Sequence, residues 1–190
     1  MDQPAQFRAQ WAKQIVATAK RYPEPERTRL LTAIGEEARG AIRSAGLLDY
    51  VEASVFRNLL RGVYITLGED DRNVYYSKAL ALALDTPLLK PLYKGGSGMF
   101  GRGPSGILRM TPFVWKLLTR DCGTVTAIKG EPRSLGLVFA VGLPFIDDEA
   151  FIAGMAGYMH GALAWTETIG EVTSTVDRDE QAIHYHAVWA

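Results

Sequence analysis

Residues 119–189 carry the pattern that most constrains the fold of this chain. Two pairs of short segments with alternating apolar and polar residues flank one long helical segment, 147–165. The four short segments are 123–129, 134–142, 169–176 and 181–189. Alternation is typical of strands that bury one face, and Pro132 between the first two segments fits a turn. The pattern predicts two hairpins joined by a helix, a ββ-α-ββ unit.

The helix at 147–165 has a face made of small residues, and Asp147 or Asp148 is its expected N-cap. The residues of this face are spaced four and three apart: Ala150, Gly154, Gly157, Gly161 and Ala164. Glycine lowers helix stability by roughly 1 kcal/mol relative to alanine, so a compensating contact is expected. The face predicts close packing against another backbone. A ligand channel along the glycines is the alternative.

The preceding part of the chain has helical periodicity with apolar stripes, and the first of these stripes consists of Phe7, Trp11, Ile15 and Tyr22. The predicted helices are 5–22, 25–45, 52–67, 72–84 and 106–120. The fold class is therefore α+β, with N-terminal helices packed on a four-stranded antiparallel sheet. We predict a single domain, 1–190, in which an N-terminal helix (1–22) and a helical part (23–120) precede the ββ-α-ββ unit (121–190).

A glycine-rich segment, 94–106, separates two of these helices and is expected to be a mobile or ligand-wrapping loop. Residues 96–101 match the dinucleotide fingerprint G-x-G-x-x-G. That fingerprint has to follow a strand and open a helix directly, and Pro91 interrupts the segment before it. Nucleotide binding is not predicted, whereas Lys94 and Arg102 remain candidates for holding an anion.

Composition excludes several classes of function. The net charge is zero, which gives no general attraction to nucleic acid. Charge is nevertheless uneven, because residues 86–120 hold six basic and no acidic residues, whereas 147–180 hold eight acidic residues. The two charged segments are interpreted as solvated faces, as complementary patches between subunits, or, for the basic segment, as the entrance to a site for an anionic ligand. The single cysteine, Cys122, excludes an internal disulfide, and no transmembrane segment is predicted. We expect a cytoplasmic protein.

Histidines offer the main alternative to a non-catalytic function. His184 and His186 share one strand face, and Glu171 and Thr173 would lie opposite them if the hairpin turned at residues 177–180. A metal-dependent protein or enzyme using His184, His186 and Glu171 is the alternative prediction. His160 beside the small-residue face is expected to be a packed histidine, with heme or metal ligation as its alternative.

Several dispersed segments within residues 22–189 are similar to those of a known protein family. They are Tyr75-Tyr-Ser-Lys-Ala-Leu, Pro87-Leu-Leu-Lys-Pro-Leu, Trp115-Lys-Leu-Leu, Arg120-Asp-Cys-Gly and Tyr185-His-Ala-Val-Trp. With the element order, they resemble a family of uncharacterised myxobacterial paralogues related to the heme-nitric-oxide-binding, 4-vinyl-reductase and TRAPP-subunit group. The resemblance implies a sensor domain or assembly subunit. The heme branch carries Y-x-S-x-R, and here Ala79 stands where the arginine belongs, so no cofactor is predicted.

Together these observations predict a non-enzymatic module for small-molecule sensing or protein interaction. We expect a homodimer formed through N-terminal helices, and an apolar or amphipathic ligand held between the helices. The predicted lining residues are Phe56, Leu60, Tyr64, Phe113, Trp115, Met155 and Met159. The glycine-rich segment is the predicted lid.

Overall fold

The computed structural model describes residues 4–190, apart from the side chain of Ser97. In chain order the elements are β1 (Gln6–Arg8), α1 (Ala9–Lys20), α2 (Glu26–Ile34), α3 (Glu36–Ser44), β2 (Tyr50–Glu52), α4 (Ala53–Thr66), α5 (Glu69–Leu84), α6 (Leu89–Phe100), α7 (Pro104–Arg109), α8 (Thr111–Leu118), β3 (Thr119–Arg120), β4 (Thr124–Lys129), β5 (Ser134–Ala140), α9 (Leu143–Ile146), α10 (Glu149–Trp165), β6 (Gly170–Asp177) and β7 (Ala182–Trp189). Eight helices thus precede the C-terminal ββ-α-ββ unit within this described part.

The C-terminal strands form the predicted four-stranded antiparallel sheet, in the order β4-β5-β7-β6. On the central strands, burial alternates as the sequence pattern requires, with Leu137, Phe139 and Tyr185 buried. The Tyr185 hydroxyl donates a hydrogen bond to the Ile152 carbonyl of α10 at 3.2 Å. The helix therefore covers the buried face of this sheet, and the α+β fold class is confirmed.

A second, three-stranded sheet was missed by sequence reasoning. Its order is β2-β1-β3, and it pairs Phe7 with Val51 on one side and Thr119 on the other. Residues 6–8 thus form a strand, although the sequence predicts a helix from residue 5. These strands have two or three residues each, which is too short for any periodicity to register.

Three helix predictions need correction. The helix predicted at 25–45 is two helices separated by Gly35, whose φ of +83° suits glycine. The helix predicted at 106–120 is α7 and α8, which meet at Met110, and Pro112 lies in the first turn of α8, where its missing N–H is harmless. The loop predicted at 94–106 is largely wrong, because α6 continues to Phe100.

The glycines of the small-residue face of α10 pack on α5, which confirms the predicted close approach, whereas Ala164 at the end of this face is exposed. A Cβ added at Gly161 would lie 2.9 Å from Cα of Ser77, and one at Gly157 would lie 2.5 Å from Cδ2 of Tyr76. Both contacts are too close for a larger residue, so the glycines let the two helices meet.

The N-terminus of α10 is fixed by one carboxylate with two partners. Asp148, one of the two predicted caps, accepts a hydrogen bond from the Phe151 N–H at 3.1 Å. Its other oxygen pairs with the guanidinium of Arg57 on α4. Asp147 instead pairs with Arg178 at 3.0 Å. This end of α10 is therefore tied to the N-terminal helices as well as to the sheet.

Within residues 4–190, none of the helices combines the length and the apolar character needed to cross a bilayer.

Candidate functional site

An apolar cavity of about 110 Å³ lies between the N-terminal helices and the four-stranded sheet. Helices α1, α5, α6, α7 and α8 supply one part of its wall. Residues of α10 and Phe139 of β5 supply the rest. Both halves of the chain therefore line the cavity. A molecule inside it would contact helices of the N-terminal half as well as α10 and β5.

Three of the predicted ligand-binding residues line this cavity: Trp115, Met155 and Met159. Trp115 is held in place because its indole N–H donates to the Gly123 carbonyl at 3.2 Å. Met155 and Met159 are one turn apart on α10 and so present to the same side. Their predicted role in ligand binding stays a prediction.

The other four predicted residues lie outside the lining. Phe56 and Leu60 are completely buried on α4, where Phe56 stacks on Phe7 with ring centroids 4.1 Å apart. The Tyr64 hydroxyl donates to the Glu149 carboxylate at 3.0 Å. Phe113 is 57% exposed, because it lies two residues before Trp115 and so on the opposite side of α8.

Residues of α1 and α6 that were not predicted to bind a ligand also line the cavity. They are Gln10, Trp11, Gln14, Leu89 and Tyr93. The sequence contains one indication that α1 lines the cavity. Gln10 lies beside the apolar stripe of this helix, which was expected to face the core. For α6, the glycine content concealed the helical spacing of Leu89 and Tyr93.

No charged side chain, histidine or cysteine lines the cavity among the residues that the structure describes. Tyr158 of α10 is one of its few polar residues, and burial raises the pKa of its phenol well above the ordinary value. The phenol is therefore neutral. The Tyr158 hydroxyl is buried and makes no hydrogen bond of ordinary geometry in the described structure, although the nearby Trp11 indole N–H acts against the rise in its pKa. The lining is suited to a neutral, mostly apolar molecule.

The segment that resembles the heme signature has a packing role. The Tyr75 hydroxyl donates to the Ile15 carbonyl of α1, and the Ser77 hydroxyl donates to the Asn73 carbonyl at 2.7 Å. Neither residue lines the cavity, and Ala79 is completely buried. In this chain the segment joins α5 to its neighbours.

The register predicted for the second hairpin is wrong by two residues. The strand β6 extends through Asp177, so Thr173 lies opposite His186 and Glu171 lies opposite Val188. In the described residues, the side chains close enough to share a metal ion are instead Asp177, Glu180 and His184, whose ligand atoms lie within 4.8 Å of one another. Asp177 already accepts hydrogen bonds from two backbone N–H groups of the turn. Of the three ligands proposed for the metal-dependent alternative, His184 belongs to this group, and His186 and Glu171 do not.

Burial changes the pKa values of two further side chains, which lie away from the cavity. His160 on α10 is half-buried, and this burial lowers its pKa, although the charges of Glu69 and Glu171 oppose the effect. Burial raises the pKa of the Cys122 thiol to about 11, so it is not a thiolate at neutral pH. Neither residue lines the cavity.

The fold is similar to that of solved H-NOX structures. A mutant of an H-NOX protein from K. algicida, in the Fe(II) unliganded form, aligns with TM-score 0.61 and 10% identity over 96% of each chain. An oxygen-binding H-NOX domain related to soluble guanylate cyclases, in its oxygen complex, aligns with TM-score 0.62 and 9% identity over 96% of this chain and 94% of that one. A third structure, described in terms of heme redox potential and protein-induced porphyrin distortion, aligns with TM-score 0.61 and 11% identity over 95% of this chain and 99% of that one.

No protein-family profile and no curated protein matches the chain. At about 10% identity, the structural similarity establishes the fold. The part of the sequence resemblance that concerns the heme-nitric-oxide-binding fold is therefore confirmed. The narrower resemblance to myxobacterial paralogues has no support in these comparisons.

Proposed function

We propose that this chain is a non-enzymatic sensor module with the H-NOX fold that binds a small, neutral, mostly apolar molecule. The observation that carries the proposal is the cavity, which is walled by α1, α5 to α8, α10 and β5 and has no charged residue in its described lining. Cavities of about 150 Å³ lined by aliphatic and aromatic side chains bind benzene or xenon. A molecule of that order fits here.

The site does not suit heme, although several solved structures of this fold are described by their heme or iron state. A cavity of about 110 Å³ is well below the roughly 300 Å³ at which sites for drug-sized ligands begin. The described lining offers neither a histidine nor a cysteine to ligate iron, and no basic side chain to pair with carboxylates. Met155, Met159 and Tyr158 are present, but the buried phenol is neutral.

The position of the cavity between the two halves supports the proposed sensing function. A ligand that contacts α6 and α8 as well as α10 would stabilise the arrangement in which these helices close over it. The free energy of unfolding would then rise with ligand concentration. A partner protein that binds only the closed arrangement would bind in response to the ligand. The sensing and protein-interaction hypotheses are then compatible in one module.

A hydrocarbon probe tests the cavity directly. We expect 2-methylbutane to raise the melting temperature of the wild-type protein progressively with its concentration, measured by calorimetry in sealed cells. Ala162→Leu should abolish this rise, because Ala162 lines the cavity and the added isopropyl group would fill it. Ala164→Leu, on an exposed position of the same helix, is the matched control and should keep the wild-type response.

Absorption spectroscopy and native mass spectrometry of the purified protein give the other outcomes. We expect no Soret band in the purified protein, and no shift or sharpening of the Soret band of added hemin. A stoichiometric heme mass, or a melting temperature that the hydrocarbon does not change, would contradict the proposal. The same mass spectrum reports whether the chain is the homodimer that the sequence predicts.

Glycines of α6 provide a prediction about ligand entry. Cβ atoms added at Gly95 and Gly98 would contact nothing within 4 Å, and neither has a positive φ, so packing does not require glycine there. Glycine in a helix favours unwinding by roughly 1 kcal/mol relative to alanine. We propose that α6, which contributes Leu89 and Tyr93 to the wall, unwinds to admit the ligand.

Gly95→Ala combined with Gly98→Ala should therefore slow exchange of the hydrocarbon probe, measured by NMR exchange spectroscopy, and raise the melting temperature. Gly40→Ala on α3 is the control, because a Cβ there also meets nothing and α3 is remote from the lining. It should raise the melting temperature without slowing exchange. Equal exchange rates in the α6 variant and the wild type would exclude α6 as the lid.

A further inference from the structure

One polar side chain stands out in the apolar wall of the cavity. Gln10 of α1 is 5% exposed and lines the cavity. Among the residues whose side chains the structure describes, its carboxamide has no hydrogen-bond partner. Among the described side chains, the polar atoms that are sealed from solvent without a partner are the hydroxyls of Tyr76 and Tyr158. The Gln10 amide is therefore not sealed by protein, and it belongs to a residue that lines the cavity.

An unpaired carboxamide at this place is unfavourable for the folded protein alone. Glutamine is seldom this buried, and an amide without a protein partner in a largely apolar wall keeps part of its desolvation cost. A leucine would complete the apolar wall at the same position. The carboxamide is thus better explained by a group that is brought in from outside.

Other polar groups cluster near the same wall. Gln14 lies one turn after Gln10 on α1 and also lines the cavity. Tyr158 packs edge-on against Trp11 with ring centroids 5.4 Å apart, which places its unpaired hydroxyl near α1. Trp11 can only donate, so the Tyr158 proton has no acceptor there. Thr86 and Thr111 also line the cavity, and the remainder, which includes Met155, Met159 and the residues of α7, is apolar.

We propose that Gln10 recognises the polar group of an amphipathic ligand, and that this group is a neutral carbonyl, carboxamide or hydroxyl. This rests on the proposed function and names the class of molecule. The apolar body would lie against Met155 and Met159, with the polar group toward α1. Because the cavity of about 110 Å³ is smaller than those that hold benzene, the ligand has about five non-hydrogen atoms. A charged group is excluded, because no opposite charge lines the described wall.

Two probes with the same branched skeleton separate polar recognition from apolar filling: propanamide and 2-methylbutane. We expect both to bind the wild-type protein in ligand-observed NMR titrations. Gln10→Leu should weaken propanamide binding about tenfold or more, which is the effect of losing a buried hydrogen-bond partner. The same change should leave 2-methylbutane binding unchanged or tighter. Met155→Leu, which alters only the apolar wall, should shift both probes alike.

Stability provides a readout that is independent of any ligand. Gln10→Leu should raise the melting temperature of the ligand-free protein, because it removes a buried, unpaired amide, as is common where function is kept at the expense of stability. A fall would mean that Gln10 has a structural role, bonded through water, and would overturn the inference.

The outcomes also distinguish the inference from the proposed function. If 2-methylbutane binds and propanamide does not, or if Gln10→Leu weakens both probes equally, the role of Gln10 is refuted and the cavity remains a ligand site. If neither probe binds the wild-type protein, both the inference and the proposed function fail.

Discussion

Replacing Gly157 by leucine is expected to destabilise the protein by about 4 kcal/mol or more. A Cβ at this position would lie 2.5 Å from Cδ2 of Tyr76, closer than real side-chain contacts allow. Tyr76 cannot move aside easily, since it is completely buried and its ring lies 5.5 Å from Tyr75 and 5.1 Å from Tyr158. Overpacking of a core alone costs about 1–3 kcal/mol, and separating α5 from α10 adds to that.

Urea denaturation measures this loss as a lower transition midpoint. Ala164→Leu on the same helix is the control, because Ala164 is exposed and the larger side chain meets solvent. Its midpoint should stay within the small range of ordinary surface substitutions. A wild-type midpoint for Gly157→Leu would mean that α10 and α5 do not pack through this face.

Phe7→Ala is expected to cost about 3–5 kcal/mol, the range for truncating a fully buried aromatic residue. Phe7 is completely buried and stacks on Phe56 at 4.1 Å. Its ring also meets Trp115 at 5.8 Å and Phe145 at 6.0 Å, both edge-on. One side chain on a three-residue strand thus joins α4, α8 and α9, and its loss leaves a cavity that these elements cannot close together.

Phe113→Ala serves as the comparison, because this phenylalanine is 57% exposed and contacts only Phe100 in the aromatic pairs of the described chain. It should change the free energy of unfolding by no more than about 1 kcal/mol. Chemical denaturation of both variants under the same conditions checks the difference. Similar losses for the two would show that the short sheet does not anchor the core.

Phe7 also illustrates why the site was only partly predictable. Its apolar character and its spacing from Trp11 were read as a helical stripe, which correctly made both residues part of the core. Nothing in the sequence indicated that the chain is extended at residues 6–8, because this strand exists only through its pairing with β2 and β3. Such pairing joins residues more than 40 and more than 110 positions apart, and local propensity has no access to it.

The cavity lining shows the same division. Met155, Met159 and Trp115 were found because long apolar stripes on α8 and α10 had to face the core. Phe56 and Leu60 have an equally strong pattern, but α4 packs on the small-residue face of α10, where Leu60 lies beside Gly154. Periodicity identifies the buried face of a helix and leaves open which neighbour that face meets. For this reason Gln10 could not be distinguished from a partly exposed glutamine.

The sequence by itself determined the α+β class, the two hairpins, the helix between them and the small-residue face that demands a close neighbour. Each follows from local periodicity or from the size of side chains at fixed spacing, which act within one element. Only the tertiary structure decided that α5 is that neighbour, that α6 is helical and that Gln10 faces an apolar cavity. These three features depend on contacts between elements that are far apart in the chain. The free energies of such contacts cannot be inferred from any single segment.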